Sequence, residues 1–255
     1  MSRLDKNIKA AFLGEKMELT KENWSLQDQK EYTEYLKSLA EDKYQSFHSS
    51  LVPGVKVIGI RAPVLKETAK KIAKGNYREF LSLPCGNTNE ERSIYGLVIG
   101  YAVKDYDEFT ALLKDFVPLI NSWAVCDCCT AAFKIIKKHL AEFKPIVDEY
   151  LKSDEEYVLR FAAVILLDYY IDEEYIDFTL SKLKEIKSDK YYVNMAVAWA
   201  ISVCYVKFRD KTLNFLKAKE LDNFVQNKAI QKIRESFRVS DEDKEILKKY
   251  KKRPI

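Results

Sequence analysis

Apolar residues recur along this chain at helical rather than strand intervals, so most segments read as amphipathic helices separated by short polar breaks. The stripes predict helices at about 2–13, 28–47, 63–74, 76–82, 89–103, 106–119, 122–138, 141–151, 154–170, 173–186, 190–207, 209–218, 221–237 and 241–250. Cap chemistry marks several starts. Pro63 suits a first helical position, Thr88 with Glu91 and Ser153 with Glu156 have capping-box spacing, and Ser240 precedes the acidic turn DEDKE. Connections such as KSD at 152–154 and SDK at 188–190 are short, which implies antiparallel neighbours packed in pairs. No exact repeat of residues shows.

Length and composition sharpen this picture. A chain of 255 residues with only 7 Gly and 6 Pro, in which Lys, Glu, Leu, Ala and Ile recur at helical spacing, suits an array of repeated units better than one large core. Helix pairs recurring at roughly 30 to 40 residues resemble a degenerate HEAT-type solenoid. The expected fold is therefore all-α, a right-handed superhelix of HEAT-like antiparallel helical repeats with a concave groove. It is expected to form one domain over 1–255, with N-terminal helices at 1–50 and the repeat array at 60–250. The segment QSFHSSLVPGVKVIGIRAP at 45–63, broken by Pro53, Gly54, Gly59 and Pro63, reads as the loop joining the two.

Charge adds a partner class. The net charge of +4, from 43 basic and 39 acidic residues, leans only faintly toward anions, but the lysines cluster. Lys66, Lys70, Lys71 and Lys74 lie within two turns, Lys134, Lys137 and Lys138 follow the middle of the chain, and Lys248, Lys249, Lys251, Lys252 and Arg253 end it. Each cluster alone suits a solvated helix face; together they suit phosphate contact. An odd count of five cysteines, with no apolar stretch long enough to span a bilayer and no signal-peptide pattern in MSRLDKNIKAAF, points to a cytoplasmic chain with reduced thiols. Cys126, Cys128 and Cys129 lack a second pair at ligand spacing and the chain has two histidines, so helix packing rather than a metal is expected of them.

The candidate chemistry lies in three apolar segments that each carry one conspicuous side chain. NSWAVCDCCTAAF places Trp123 and Asp127 one helical turn apart, YVLRFAAVILL holds Arg160 as its only charge, and MAVAWAISV holds Trp199. An embedded charge is costly unless paired or used. Asp127 and Arg160 cancel on paper, and the two indoles would wall a site for a flat, electron-poor ligand. A structural ion pair and a core tryptophan are the plainer alternatives.

Six stretches, GIRAPVLKETAKKIAK, NEERSIYGLVIGYA, FVPLINSWAVCD, YVLRFAAVILLDYYID, YYVNMAVAWAISVCYVKF and NKAIQKIRESFRVS, together resemble the DNA alkylation repair family of AlkD-like glycosylases, over about residues 35–250. The resemblance implies a monofunctional DNA glycosylase that removes cationic alkylated purines such as 7-methylguanine and 3-methyladenine from duplex DNA, without metal or organic cofactor. It assigns the catalytic set to Trp123, Asp127, Arg160 and Trp199. The aromatic pair ahead of the second Trp is matched by Tyr191 and Tyr192, which with Lys134, Lys137 and Lys138 are expected to contact DNA. A monomer is expected, because a groove around a duplex needs no second subunit. The chain departs from the family in VNMAVAWAIS, which has no Lys or Arg before Lys207. That departure keeps a second class open, a noncatalytic scaffold for unusual nucleic-acid structures or a protein partner.

Overall fold

The computed structural model describes residues 17–252, and every regular element among them is helical. Fourteen α-helices follow in order: α1 (Leu26–Ser38), α2 (Asp42–Leu51), α3 (Ala62–Ile72), α4 (Tyr77–Ser82), α5 (Asn89–Ala102), α6 (Tyr106–Phe116), α7 (Trp123–Thr130), α8 (Leu140–Tyr150), α9 (Glu156–Tyr169), α10 (Ile176–Glu185), α11 (Tyr191–Lys207), α12 (Arg209–Lys217), α13 (Asn223–Glu235) and α14 (Asp241–Lys248). The helix expected at 2–13 lies outside the described residues.

The chain divides into two compact units, the first ending at Ile135 and the second beginning at Ile136. In each unit every second helix stacks on the next of its row, α3 on α5 on α7 in the first and α9 on α11 on α13 in the second. The intervening helices pack against their sequence neighbours, the arrangement of an α-solenoid. The middle helix of each row is apolar nearly all round because it has helices on both sides. In α5 the residues Asn89–Glu91 and Ser93–Ile99 are all buried, and α11 buries ten of its 17 residues. Close stacking in the first unit depends on Gly96 and Gly100 of α5. A Cβ at Gly96 would lie 2.5 Å from Cys129 Sγ, and one at Gly100 would lie 2.8 Å from the Ala132 Cβ.

Four expectations change, the first being that α2 runs on to Leu51 and takes the opening of the segment expected as a loop at 45–63, which leaves 52–61 as the connection. The stripe at 28–47 is two helices, and its break at Leu39–Glu41 contains no Gly or Pro. Tertiary contacts make it: the Glu41 amide donates to the Gly59 carbonyl (3.0 Å) and the Arg61 Nε donates to both Glu41 carboxylate oxygens (2.9 and 3.0 Å). The stripe at 122–138 stops at Thr130 and resumes as a 3-10 turn, Lys134–Lys138. The Ser153–Glu156 capping box does not form; Ser153 Oγ accepts the Glu155 amide (3.1 Å), while Glu156 turns to another helix.

That last difference uncovers a repeat the stripes hide. Lys152-Ser153-Asp154 recurs as Lys187-Ser188-Asp189, and Ser188 Oγ accepts the Lys190 amide at the same 3.1 Å. One tripeptide thus builds the entry to both α9 and α11. Thr88 with Glu91 and Ser240 with Asp243 do cap their helices as expected. Trp24, without a reading in the sequence, is core: it is 5% exposed and packs edge-on against Phe80 and Tyr32. No helix among the described residues is long and apolar enough to cross a membrane.

Candidate functional site

Two helix starts, one in each unit, carry the side chains singled out above. In the first unit Ser122 caps α7, its buried hydroxyl accepting the Val125 amide (3.1 Å) and donating to Asn89 Oδ1 (2.8 Å). The buried Asn89 begins α5 and donates its own amide to the Lys56 carbonyl (2.8 Å). Its neighbour Glu90, fully buried, accepts the amides of Ile58 (2.8 Å), Gly59 (2.8 Å) and Ile60 (3.3 Å). The loop joining α2 to α3 is thereby tied to α5, and α5 to the cap of α7.

On this fixed start Trp123 and Asp127 are both half-buried, one turn apart on α7. The Trp123 Nε1–H donates to the Leu51 carbonyl at the end of α2 (3.0 Å). An indole whose only polar hydrogen is committed in this way has its π-face left for an apolar or cationic neighbour. The helix between them is filled by Val125 and Cys126, both buried.

The same unit holds a basic cleft of about 660 Å³ between α3, α5 and α7. Lys66, Lys70, Lys71, Lys74, Lys104 and Lys134 line it, so the first lysine cluster shares one cavity with Lys104 and with Lys134 of the second. Lys70 is paired with Glu67 (2.7 Å) and Lys104 donates to the Tyr101 carbonyl (2.8 Å). Cys128, next to Asp127, also lines the cleft; burial pushes its thiol up, against the opposing pull of Lys66. Lys137 and Lys138 are exposed and belong to the second unit.

In the second unit α9 grips the first turn of α11. Glu156 Oε1 accepts the Tyr192 amide (3.0 Å), standing in for the side-chain cap that Lys190 does not supply, and Arg160 Nη1 donates to the Tyr192 carbonyl (2.7 Å). Arg160 is 5% exposed, so this guanidinium is held inside the fold. Tyr157 stacks on Tyr192 with ring centroids 6.0 Å apart. Two turns along α11 from Tyr192, Trp199 is half-buried rather than sealed in the core. Tyr192, Met195 and Trp199 are the partly open positions of the first two turns, one stripe at helical spacing.

Compared with known families, residues 18–233 match the model for the DNA alkylation repair enzyme. The chain belongs to that family. None of the curated proteins compared with it matches significantly. As a DNA alkylation repair enzyme it acts on DNA, and its lysine cleft has the charge that DNA phosphates require. Reading the sequence alone misses Asn89, Glu90 and Ser122, and casts Glu156 as a capping-box partner of Ser153 rather than the acceptor of the Tyr192 amide. Ser122 carries a detectable signal, a Ser immediately before an apolar helical run. Glu90 carries none, since a carboxylate in a first turn ordinarily serves the helix dipole in solvent.

Proposed function

We propose that this DNA alkylation repair enzyme is a monofunctional glycosylase that hydrolyses the N-glycosidic bond of cationic alkylated purines, 7-methylguanine and 3-methyladenine, in duplex DNA. The observation that carries the proposal is the pair on α7: a half-exposed carboxylate, Asp127, one turn from an indole whose N–H is already bonded to Leu51. Alkylation at a ring nitrogen makes the base a cation, and the bond electrons leave with it as a neutral purine. Positive charge then builds on the sugar, where a fixed anion lowers the barrier. Water supplies hydroxide to the anomeric carbon and its remaining proton passes to solvent, with Asp127 orienting the water. The Trp123 face suits the sugar and the cationic ring.

Arg160, Trp199, Tyr191 and Tyr192 enter the proposal through the family pattern, as holders of charge, lesion and strand, and no metal or organic cofactor is required. Lys134 with the other lysines of the cleft, together with Lys137 and Lys138, would neutralise phosphates. The protein is proposed to work as a monomer in the cytoplasm. A second reading, a noncatalytic nucleic-acid scaffold, is favoured by α11, which has no Lys or Arg before Lys207.

The test is chromatography of bases freed from methylated duplex DNA. Release of 7-methylguanine and 3-methyladenine, but not of an uncharged lesion such as uracil, supports the glycosylase. Normal DNA binding with release no faster than spontaneous loss would leave the scaffold.

A further inference from the structure

The starts of α9, α11 and α13 carry a row of rings that core packing does not account for. Tyr157 stacks on Tyr192, Tyr192 meets Tyr191 at 5.3 Å, and Tyr191 meets Phe224 at 6.0 Å between centroids. The outer end of the row is open: Tyr191 is 56% and Phe224 42% exposed. Lone exposed apolar residues are ordinary, but two large rings in mutual contact, on adjacent helices of one stack, form a patch. One turn after Phe224, the Lys228 ammonium lies 5.9 Å from its ring centroid. Aromatic area beside a cation is the combination that takes a nucleotide, the ring stacking on the base and the ammonium meeting its phosphate.

We propose that the Phe224 ring, with Tyr191 edge-on beside it, forms a stacking platform for an unpaired nucleobase of bound DNA, with Lys228 at the phosphate of that nucleotide. The platform rests on the reading of the chain as DNA-directed, and it deepens that reading by assigning Phe224 and Lys228, which the sequence left without a role. Tyr157 and Tyr192 back the platform, Tyr192 being fixed through its backbone by Glu156 and Arg160. A base stacked there gains ring contact without sequence preference, because every base has a π-face.

The experiment uses unmethylated duplexes carrying 2-aminopurine either as a single-base bulge or fully paired, titrated with the full chain. The wild type is expected to quench the bulged probe and bind it about tenfold more tightly than the paired one. Phe224→Ala is expected to remove most of that preference while leaving paired-duplex affinity within about twofold, and Phe224→Tyr to retain it. Equal wild-type affinity for the two probes without quenching would overturn the proposal. So would a Phe224→Ala variant that keeps the preference, or that weakens both probes in parallel. No glycosidic bond is broken in this measurement, so failure of the glycosylase reading leaves its outcome intact.

Discussion

Replacing Glu90 should unlock the segment that fixes the start of α7. Its carboxylate is fully buried and accepts three amides, those of Ile58, Gly59 and Ile60, all in buried residues. Leaving a buried donor unmade costs about 1–3 kcal/mol, and more when the lost partner is charged. Three donors released together in Glu90→Ala, with water entering the vacated space, should cost about 4 kcal/mol. Glu90→Gln with its oxygen toward Gly59 and Ile60 keeps those two acceptances but aims an amide donor at the Ile58 amide, at about 2 kcal/mol. Against a typical total of about 5–15 kcal/mol, the first loss is a large fraction of stability. Urea titration followed by tryptophan emission reads it, because Trp24 and Trp123 lie in the first unit and Trp123 is bonded to Leu51 where that segment begins. Amide exchange at Ile58, Gly59 and Ile60 reads the local event. If Glu90→Ala unfolds within about 1 kcal/mol of the wild type with those three amides still protected, the clamp does not hold the loop and the reasoning fails.

Three further outcomes follow from the same geometry. The Lys21 ammonium beside Asp28, with Ser25, holds the Asp28 carboxyl below its ordinary value, so its contribution is present above the unfolded carboxylate pKa and is lost as pH falls through the lower folded value. Asp28→Asn should therefore flatten the acid limb of the stability profile, and an unchanged limb would refute the pairing. Burial pushes the Cys85 and Cys204 thiols up to about 12 and the Cys128 thiol in the same direction. All three should resist iodoacetamide at pH 8 until urea is added, as mass spectrometry of the labelled chain can check; rapid labelling of the folded chain would contradict it. Finally, Lys66→Ala, Lys71→Ala and Lys74→Ala combined should lower the slope of log affinity against log salt for duplex DNA by about 2.7, and an unchanged slope would return the cleft to plain solvated surface.

The architecture was legible wherever periodicity and caps agreed. Thr88 with Glu91 and Ser240 mark helices that begin where their stripes do. It was illegible where a distant segment captured the backbone. Leu39 and Ala40 are good helix formers, and only the approach of Gly59 and Arg61 to Glu41 ends α1 there. The KSD repeat was present in the letters but buried in unlike neighbours, and becomes evident once Ser153 and Ser188 are seen bonding their chains identically. For the site, the spacing of Trp123 and Asp127 followed from helical geometry alone. That the indole N–H is spent on Leu51, that Arg160 holds the Tyr192 carbonyl and that Lys104 and Lys134 share a cleft with the 66–74 lysines depend on packing between helices, which no local pattern encodes.

The central claim is that the Asp127 carboxylate promotes departure of a cationic base. Single-turnover release of 7-methylguanine from a defined duplex, with enzyme in excess, tests it most directly when wild type is compared with Asp127→Asn. Removing the anion while keeping the side chain's shape should slow the chemical step by about 10²–10³-fold with DNA affinity unchanged. Equal release rates for the two proteins would contradict the account.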